Sequence, residues 1–209
     1  LFLEELTSAE LRDLIQAGYR TVILPTGGTE DNGPHMALGK HNAIVAYASE
    51  RIARELGSTL VAPVIAYVPE GAWTPPSDHM TRPGTMSFPD FDGYRDLLMA
   101  AANSLKASGF ERVLLLGDSG GNQAGLEAVA NELNGKWHGS TARALYVADY
   151  YARAAVDQQR YVAENTQLFP DEVGSHAGVL DTSELLVARP DRKSTRLNSS
   201  HTDISRMPS

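Results

Sequence analysis

Acidic residues and two histidines fall within a single stretch that follows a short apolar run. Residues 27–42 read GGTEDNGPHMALGKHN and include Glu30, His35 and His41. The glycines and the proline favour an irregular backbone, so this stretch suits a loop that holds polar groups over a cleft. Carboxylates and imidazoles bind divalent metal ions and also transfer protons. We therefore expect the chemistry of this chain to begin at this loop.

Two other short segments carry the same kinds of side chain. Residues 117–122 read GDSGGN and contain Asp118, and residues 175–183 read SHAGVLDTS and contain His176 and Asp181. In a parallel sheet the loops that follow the strands meet at one edge, where ligands bind. Together these side chains could bind Zn, Mn or Fe. Each acid taken alone could equally cap the helix that follows it, and His79 could only brace its own proline-rich loop.

The elements that must position these loops alternate between short apolar runs and longer helical patterns. This alternation predicts an α/β domain with a mostly parallel sheet. Strands are expected at residues 21–24, 60–68, 112–116 and 142–148. Helices are expected from Thr7 to Gly18 and over residues 43–56, 91–108, 123–133, 156–165 and 184–188. An irregular segment with five prolines is expected at residues 69–89, and a loop of that length is often functional.

Composition narrows the class of partner. The 209 residues carry a formal net charge of -8, which argues against a general nucleic-acid binder and favours a small-molecule ligand. No apolar run approaches the roughly 20 residues that cross a bilayer, so we expect a soluble protein with no membrane partner. A cytoplasmic location is expected, while a periplasmic or secreted one stays open because the chain starts at Leu1. The absence of cysteine excludes disulfides and thiolate metal sites.

The chain divides into a main part and a tail. Residues 1–190 carry the α/β pattern and are expected to form one domain. From about residue 191 the sequence becomes polar and patternless, and it looks like translated sequencing-adapter read-through. We expect residues 191–209 to be a disordered, non-native tail and give its side chains no functional weight.

Four ordered motifs resemble those of the creatininase family of metal-dependent amidohydrolases. They are TGGTEDNGPH at residues 26–35, His79 with PGTMS at 83–87, GDSGGN at 117–122, and HAG at 176–178 with DTS at 181–183. The resemblance implies a three-layer α/β/α fold with a mostly parallel central sheet, often assembled into homo-hexamers. It also implies that the native C-terminal part is missing, because family chains continue past the last motif.

The departures from the family pattern alter the expected metal site. The family places a ligand Glu, a His two residues later, a bridging Asp near the end of the loop and a His in the glycine-rich turn. Here these positions are Glu30, Asn32, His41 and Ser119. The loss of a bridging carboxylate weakens a two-ion site. The resemblance thus implies one ion rather than two, Zn or Mn with Fe as a third choice, held by Glu30, His41 and Asp118.

The expected reaction is hydrolysis of a C–N bond in an amide or cyclic amide of a small polar metabolite. In it the ion activates a water, His176 carries a proton to the leaving nitrogen, and Asp181 orients or ligates. The side chains expected to bind substrate are Asn32, His35, His79, Trp73 and Asn122.

Two alternatives remain open from the sequence. Residues 117–121 fit the Gly-x-Ser-x-Gly pattern between a strand and a helix, so Ser119 could be the nucleophile of a serine hydrolase with Asp149 and His176. A family member that binds a small molecule without turning it over is the other alternative.

Overall fold

The structure is a computed structural model that describes residues 1–174 and 176–190. The predicted tail at residues 191–209 lies outside the described residues. Four parallel strands form one sheet: β1 (Thr21–Thr26), β2 (Thr59–Val61), β3 (Arg112–Gly117) and β4 (Arg143–Tyr146), in the order β2-β1-β3-β4. The helices are α1 (Ser8–Gln16), α2 (Lys40–Leu56), α3 (Phe91–Ala107), α4 (Gln123–Lys136), α5 (Ala148–Asn165), α6 (Pro170–Val173) and α7 (Val179–Ala188). Short 3-10 turns lie at Leu3–Glu5, Asp78–Thr81 and Gly120–Asn122.

Alternating side chains of the central strands pack into two separate cores, as the period of two in a strand requires. Val22 and Leu24 face a core shared with helices α1, α3 and α4. Ile23 faces the opposite side of the sheet, where residues of α2 and α5 pack. The sheet is therefore covered on both faces, and the chain has the three-layer α/β/α arrangement expected from the resemblance.

The predicted strand at residues 60–68 was too long. Only Thr59–Val61 pairs as a strand, because Pro63 has no backbone N–H to give to a ladder. The chain nevertheless stays beside β1, where Ile65 N donates to Pro25 O at 2.9 Å. The segment then leaves the sheet and crosses its carboxyl edge.

The predicted strand at residues 142–148 and the helix predicted to begin at residue 156 were also placed imprecisely. Strand β4 ends at Tyr146, and α5 begins at Ala148, which adds two turns before the predicted start. Val162 is the buried residue of this helix, so its first half carries no apolar stripe from which a helix could be predicted. Helix α7 likewise begins at Val179 rather than at residue 184.

The carboxyl ends of β1 and β3 lie at the same level of the sheet. Thr26 is in register with Gly117, so the loops that follow both strands open at the same place. Asn122 joins them, since its side-chain Nδ2 donates to Gly27 O at 2.8 Å and to Thr26 O at 3.2 Å. None of the helices in the described ranges is both long enough and apolar enough to span a bilayer.

Candidate active site

A cavity of about 590 Å³ lies at the carboxyl edge of the sheet. Its base comes from the loops after β1 and β3 and from the start of α2. Its walls come from the segment after β2 and from helices α5 and α7. Its ionisable lining groups include six carboxyl groups: Glu30, Glu70, Asp78, Asp118, Asp181 and Glu184.

The backbone around Glu30 is fixed by the side chain of Asn32. Asn32 is fully buried, and its Nδ2 donates to Ala37 O at 2.9 Å and Glu30 O at 3.1 Å. Glu30 N donates to Leu38 O at 3.0 Å, which closes the loop on itself. The carboxylate of Glu30, 2% exposed, therefore points into the cavity from a rigid support.

Helix α2 begins three residues before its predicted start, and this brings two cationic side chains to Glu30. Lys40 is its first residue and His41 its second. Lys40 Nζ lies 3.3 Å and His41 Nε2 2.9 Å from Glu30 Oε1. Both side chains are largely buried, at 1% and 12% exposure.

His41 lies at the centre of a row of polar contacts that runs from Tyr150 to Glu30. The Tyr150 hydroxyl donates to Asp118 Oδ1 at 2.6 Å, and Asp118 Oδ2 lies 2.8 Å from His41 Nδ1. Burial by itself would lower the pKa of His41, but the two carboxylates against its ring raise that pKa to about 9. Burial likewise would raise the pKa of Glu30, whereas the neighbouring His41 and Lys40 lower it to about 2. His41 is thus an imidazolium held between two carboxylates.

Two further histidines complete the surroundings of Glu30. His79 Nε2 lies 3.5 Å from Glu30 Oε2, and His176 Nδ1 lies 3.6 Å from Glu30 Oε1. His176 Nε2 is 2.9 Å from the carbonyl oxygen of Asp31, which can only accept. Nε2 therefore carries the proton, and the Nδ1 lone pair faces the cavity.

The side chains present fit a divalent metal ion. Glu30 Oε1 is buried and, among the described residues, accepts no well-directed hydrogen bond although several nitrogens lie close to it. One ligand atom each of Glu30, His79 and His176 can be chosen within 4.8 Å of one another. Ligand atoms about 2.0–2.2 Å from a tetrahedral Zn would be roughly 3.4 Å apart, close to the separations found here. The hydrogen bond of His176 Nε2 to a backbone carbonyl is also what a metal-bound histidine usually makes.

Two more carboxyl groups of the cavity keep their protons more readily than usual. Burial and the nearby charge of Glu30 raise the pKa of Glu70 to about 7, and the Ser119 hydroxyl donates to Glu70 Oε1 at 3.2 Å. Burial and the charge of Asp118 raise the pKa of Glu184 to about 7. Gln158 of α5 donates to Glu184 and so links the two helices of the cavity wall.

The structure brings most of the predicted site residues together. Seven of them line the cavity: Glu30, His41, His79, Asp118, Ser119, His176 and Asp181. Asn32, His35, Trp73 and Asn122 are not among the described residues that line it. Asn32 and Asn122 use their amide groups to tie loops together, as described above.

The other two predicted substrate-binding residues also have structural partners. His35 Nε2 lies 3.0 Å from Ala177 O and so holds the segment before α7. Trp73 is 55% exposed, and its Nε1 donates to Ser87 O at 3.0 Å. These positions correct the expectation that the four side chains line the pocket, because the nitrogen of each one contacts backbone oxygens of neighbouring loops.

The predicted ligand set of Glu30, His41 and Asp118 is not the set that the structure gathers. The imidazole of His41 stands between the two carboxylates, with Nε2 toward Glu30 and Nδ1 toward Asp118. Asp118 is therefore placed to orient His41 from behind. The candidate set that surrounds Glu30 consists instead of His79 and His176.

The residues of the predicted serine-hydrolase triad do not come together. The Ser119 hydroxyl has Glu70 as its acceptor, and His176 is engaged with Asp31 O and with Lys40 Nζ at 3.5 Å. The Asp149 side chain is 82% exposed and pairs with Arg153 at 4.0 Å. The described geometry thus gives Ser119 no general base of the kind a nucleophile elbow needs.

Several side chains of the site were missed by sequence reasoning. Lys40 lies next to a predicted ligand, but a lysine beside a glycine is usually predicted to be exposed to solvent. Glu70 lies in the proline-rich segment without any motif around it. Tyr150 belongs to a helix turn that carried no apolar pattern, and Glu184 opens a predicted helix but lies outside every motif. The glycine at position 28 leaves room for the Glu70 carboxylate, since an added Cβ there would lie 2.7 Å from Glu70 Oε1.

The sequence and the structure of this chain were compared with those of known proteins. The profile described as creatininase, creatinine amidohydrolase, matches residues 4–204. The mycofactocin precursor peptide peptidase of Mycolicibacterium smegmatis is 26% identical over 193 residues, 88% of this chain and 63% of that protein. The 3-dehydro-scyllo-inosose hydrolase of Thermotoga maritima is 25% identical over 122 residues, 57% of this chain and 36% of that protein. The chain thus spans less than two thirds of both curated relatives.

Solved structures agree with the family match. The solved structure named "Creatininase Mn" superimposes with a TM-score of 0.67 at 26% identity, over 91% of this chain and 73% of that one. On the family profile and on these structural relatives, the chain belongs to the creatininase family.

Proposed function

We propose that this chain is a metal-dependent hydrolase that cleaves a C–N bond in an amide or cyclic amide of a small polar metabolite. The observation that carries the proposal is the buried Glu30 carboxylate at the base of the cavity, with imidazole nitrogens on both of its oxygens. Membership of the creatininase family supports the hydrolase class. The hydrolase names of the two curated relatives support it as well.

In this proposal Glu30, His79 and His176 hold one divalent ion, Mn or Zn. When bound, such an ion polarises a substrate carbonyl and lowers the pKa of a water molecule in the site. The solved creatininase that is named with Mn supports the choice of that metal. His41, fixed by Asp118, keeps Glu30 in the orientation that an ion requires.

The surrounding groups supply the remaining needs of amide hydrolysis. A leaving nitrogen must receive a proton, and His176 is already in use, with Nε2 on the Asp31 carbonyl oxygen and Nδ1 in the proposed ligand set. Glu70 lies beside Glu30, is bonded to the Ser119 hydroxyl and faces the cavity, so it takes the role of proton carrier in the proposal. A cavity of about 590 Å³ lined by several charged and polar side chains accommodates a small polar molecule.

The experiment that tests this function is removal and return of the metal. Purified protein is treated with a chelator, assayed on a panel of linear and cyclic amides, and then reloaded with Mn or Zn. We expect turnover to be lost and then restored, and Glu30→Gln to remain inactive and metal-free after reloading. Glu55→Gln, at an exposed position of α2, is the matched control and should behave as wild type.

Two results would decide against the proposal. Full turnover by metal-free protein would remove the ion from the mechanism. Absence of turnover across the panel, together with a ligand that raises the melting temperature, would identify a binding protein instead. The homo-hexamer stays a prediction from the family resemblance.

A further inference from the structure

The ammonium group of Lys40 has the surroundings of a bound cation. Its Nζ lies 2.5 Å from Asp181 Oδ2, 3.3 Å from Glu30 Oε1 and 3.5 Å from His176 Nδ1. Three lone-pair donors thus surround a group that carries three N–H bonds. The side chain is 1% exposed, so water does not take part in this arrangement to any large extent.

The two carboxylates among these acceptors are of the type that binds Mn and other divalent ions. The single free lone pair of His176, on Nδ1, belongs to the position at Glu30 and His79. Glu30 is shared between the two positions, since His79 approaches Oε2 while Lys40 approaches Oε1. The site therefore has two adjacent cation positions around one carboxylate, and a covalently tethered ammonium fills one of them.

The fold fixes both the backbone of Lys40 and the carboxylate that its ammonium group contacts. Its Cα belongs to the first residue of α2, which packs against α7. Asp181 lies in the first turn of α7, and its Oδ2 also accepts from Ala177 N at 2.6 Å. The carboxylate is thus held by its own helix start as well as by the ammonium, so the pair has little freedom to separate.

We propose that Lys40 is a built-in cation that replaces a second metal ion and limits this site to one ion per chain. The inference rests on the proposed function only in that the remaining position, at Glu30, His79 and His176, takes a metal. A divalent ion placed on Glu30 Oε1 and Asp181 would meet the ammonium at contact distance without any intervening solvent. Lys40 also neutralises Asp181 and part of Glu30, which removes the negative charge that would attract a second ion.

The test counts metal ions rather than activity. Wild type, Lys40→Met and Lys40→Arg are loaded with excess Mn, desalted and analysed for bound Mn per chain by elemental analysis and native mass spectrometry. We expect one ion in wild type and Lys40→Arg and two ions in Lys40→Met, which leaves the carboxylates of Glu30 and Asp181 without the ammonium. Lys136→Met, at an exposed position of α4, is the matched control and should retain one ion.

The outcomes separate this inference from the proposed function. Two ions in wild type, or one ion in a folded Lys40→Met, would overturn the role of Lys40 and leave the metal-dependent hydrolase intact. No ion in wild type but at least one in Lys40→Met would support the role of Lys40 and reject metal dependence. No ion in any variant would overturn both.

A second measurement covers the case in which Lys40→Met does not fold, as judged by circular dichroism. Crystals of wild type grown with Mn are measured at the Mn absorption edge. One anomalous peak beside Glu30, with Nζ of Lys40 still on Asp181, supports the proposal. A second peak in contact with Asp181, with Nζ displaced, overturns it.

Discussion

At the residue scale, the site depends on His41 having a carboxylate at each ring nitrogen. Asp118 accepts from Nδ1 and is itself fixed by the hydroxyl of Tyr150. The orientation of Glu30 therefore depends on a residue that does not touch it. Partners of this kind, one step removed from a metal, usually alter affinity or activity by 10- to 100-fold when they are replaced.

We expect Asp118→Asn to lower kcat/KM and Mn affinity by about 10- to 100-fold while the fold is retained. The amide keeps the shape of the carboxylate but removes the charge that stabilises the His41 imidazolium. Steady-state kinetics and Mn titration measure both quantities. Asp149→Asn alters a side chain that is 82% exposed and should leave them unchanged. Wild-type values in Asp118→Asn would mean that Asp118 does not position His41.

Glu184 provides a second prediction, which concerns pH. Its pKa is raised from 4.5 to about 7 in the folded chain, chiefly by burial. Between these values the folded chain holds a proton that the unfolded chain loses, so this residue makes the protein less stable as pH rises through that window. Glu184→Gln removes the effect, and we expect it to stabilise the protein by about 1–2 kcal/mol at about pH 8 and hardly at all near pH 4.5.

Urea unfolding at the two pH values measures this difference. Glu164 is an exposed residue of α5. Glu164→Gln is therefore the control, and it should show no pH-dependent gain in the free energy of unfolding. An equal gain from Glu184→Gln at both pH values would show that the carboxyl is ionised normally in the folded state.

At the element scale, the helix pair α3 and α4 depends on a glycine contact. Gly125 lies in α4 against α3, and an added Cβ would be 2.7 Å from Tyr94 Cε1 and 3.2 Å from Phe91 Cε2. Tyr94 is fully buried, so it has little room to move. The contact therefore sets how closely these two helices approach on one face of the sheet.

We expect Gly125→Ala to lower the free energy of unfolding by about 1–3 kcal/mol through overpacking. Gly135→Ala, in the same helix, meets no atom within 4 Å and should be neutral or gain up to about 1 kcal/mol from helix propensity. Thermal and urea unfolding of both variants give the comparison. If the two substitutions change the free energy of unfolding equally, the helices can move apart at Gly125 without losing stability.

The sequence allowed the elements with an apolar pattern to be predicted, and it failed where the pattern was absent. Strands β1 and β3 and helices α2, α3 and α4 were placed within a few residues because their buried faces are regular. The first half of α5 was missed because Tyr150, Tyr151 and Ala154 of that half line the polar cavity. The part of a fold that builds a site is thus also the part with the weakest pattern.

The site residues, too, could be predicted only in part from the sequence. Motifs identified Glu30, Asp118 and His176, which follow strands or open a helix. Whether such a side chain faces the cavity or braces a loop depends on its rotamer and on nearby carbonyl groups, and spacing along the chain does not determine these. Asn32 shows this, since its amide group binds the backbone of its own loop.

At the scale of the whole molecule, an ion that binds only the folded chain must stabilise it. At a free Mn concentration about 100 times Kd the gain is about 2.7 kcal/mol, which is a rise of about 5–10 °C in melting temperature for a chain of this size. We expect the rise to be reversed by chelator and to be absent in Glu30→Gln. Differential scanning calorimetry with and without Mn measures it, and a wild-type melting temperature insensitive to Mn would exclude a site of useful affinity.

The pairing of β1 with β3 has a consequence for the order of folding. The strands join residues that are 91 positions apart, such as Thr21 and Arg112, and the two site loops open from their ends. Closing so long a loop is slow relative to forming local helices. During synthesis on the ribosome, Glu30 is made well before Asp118 and His176, and it must wait for them. The nascent chain therefore completes the proposed metal site only when nearly all of the described domain has been translated.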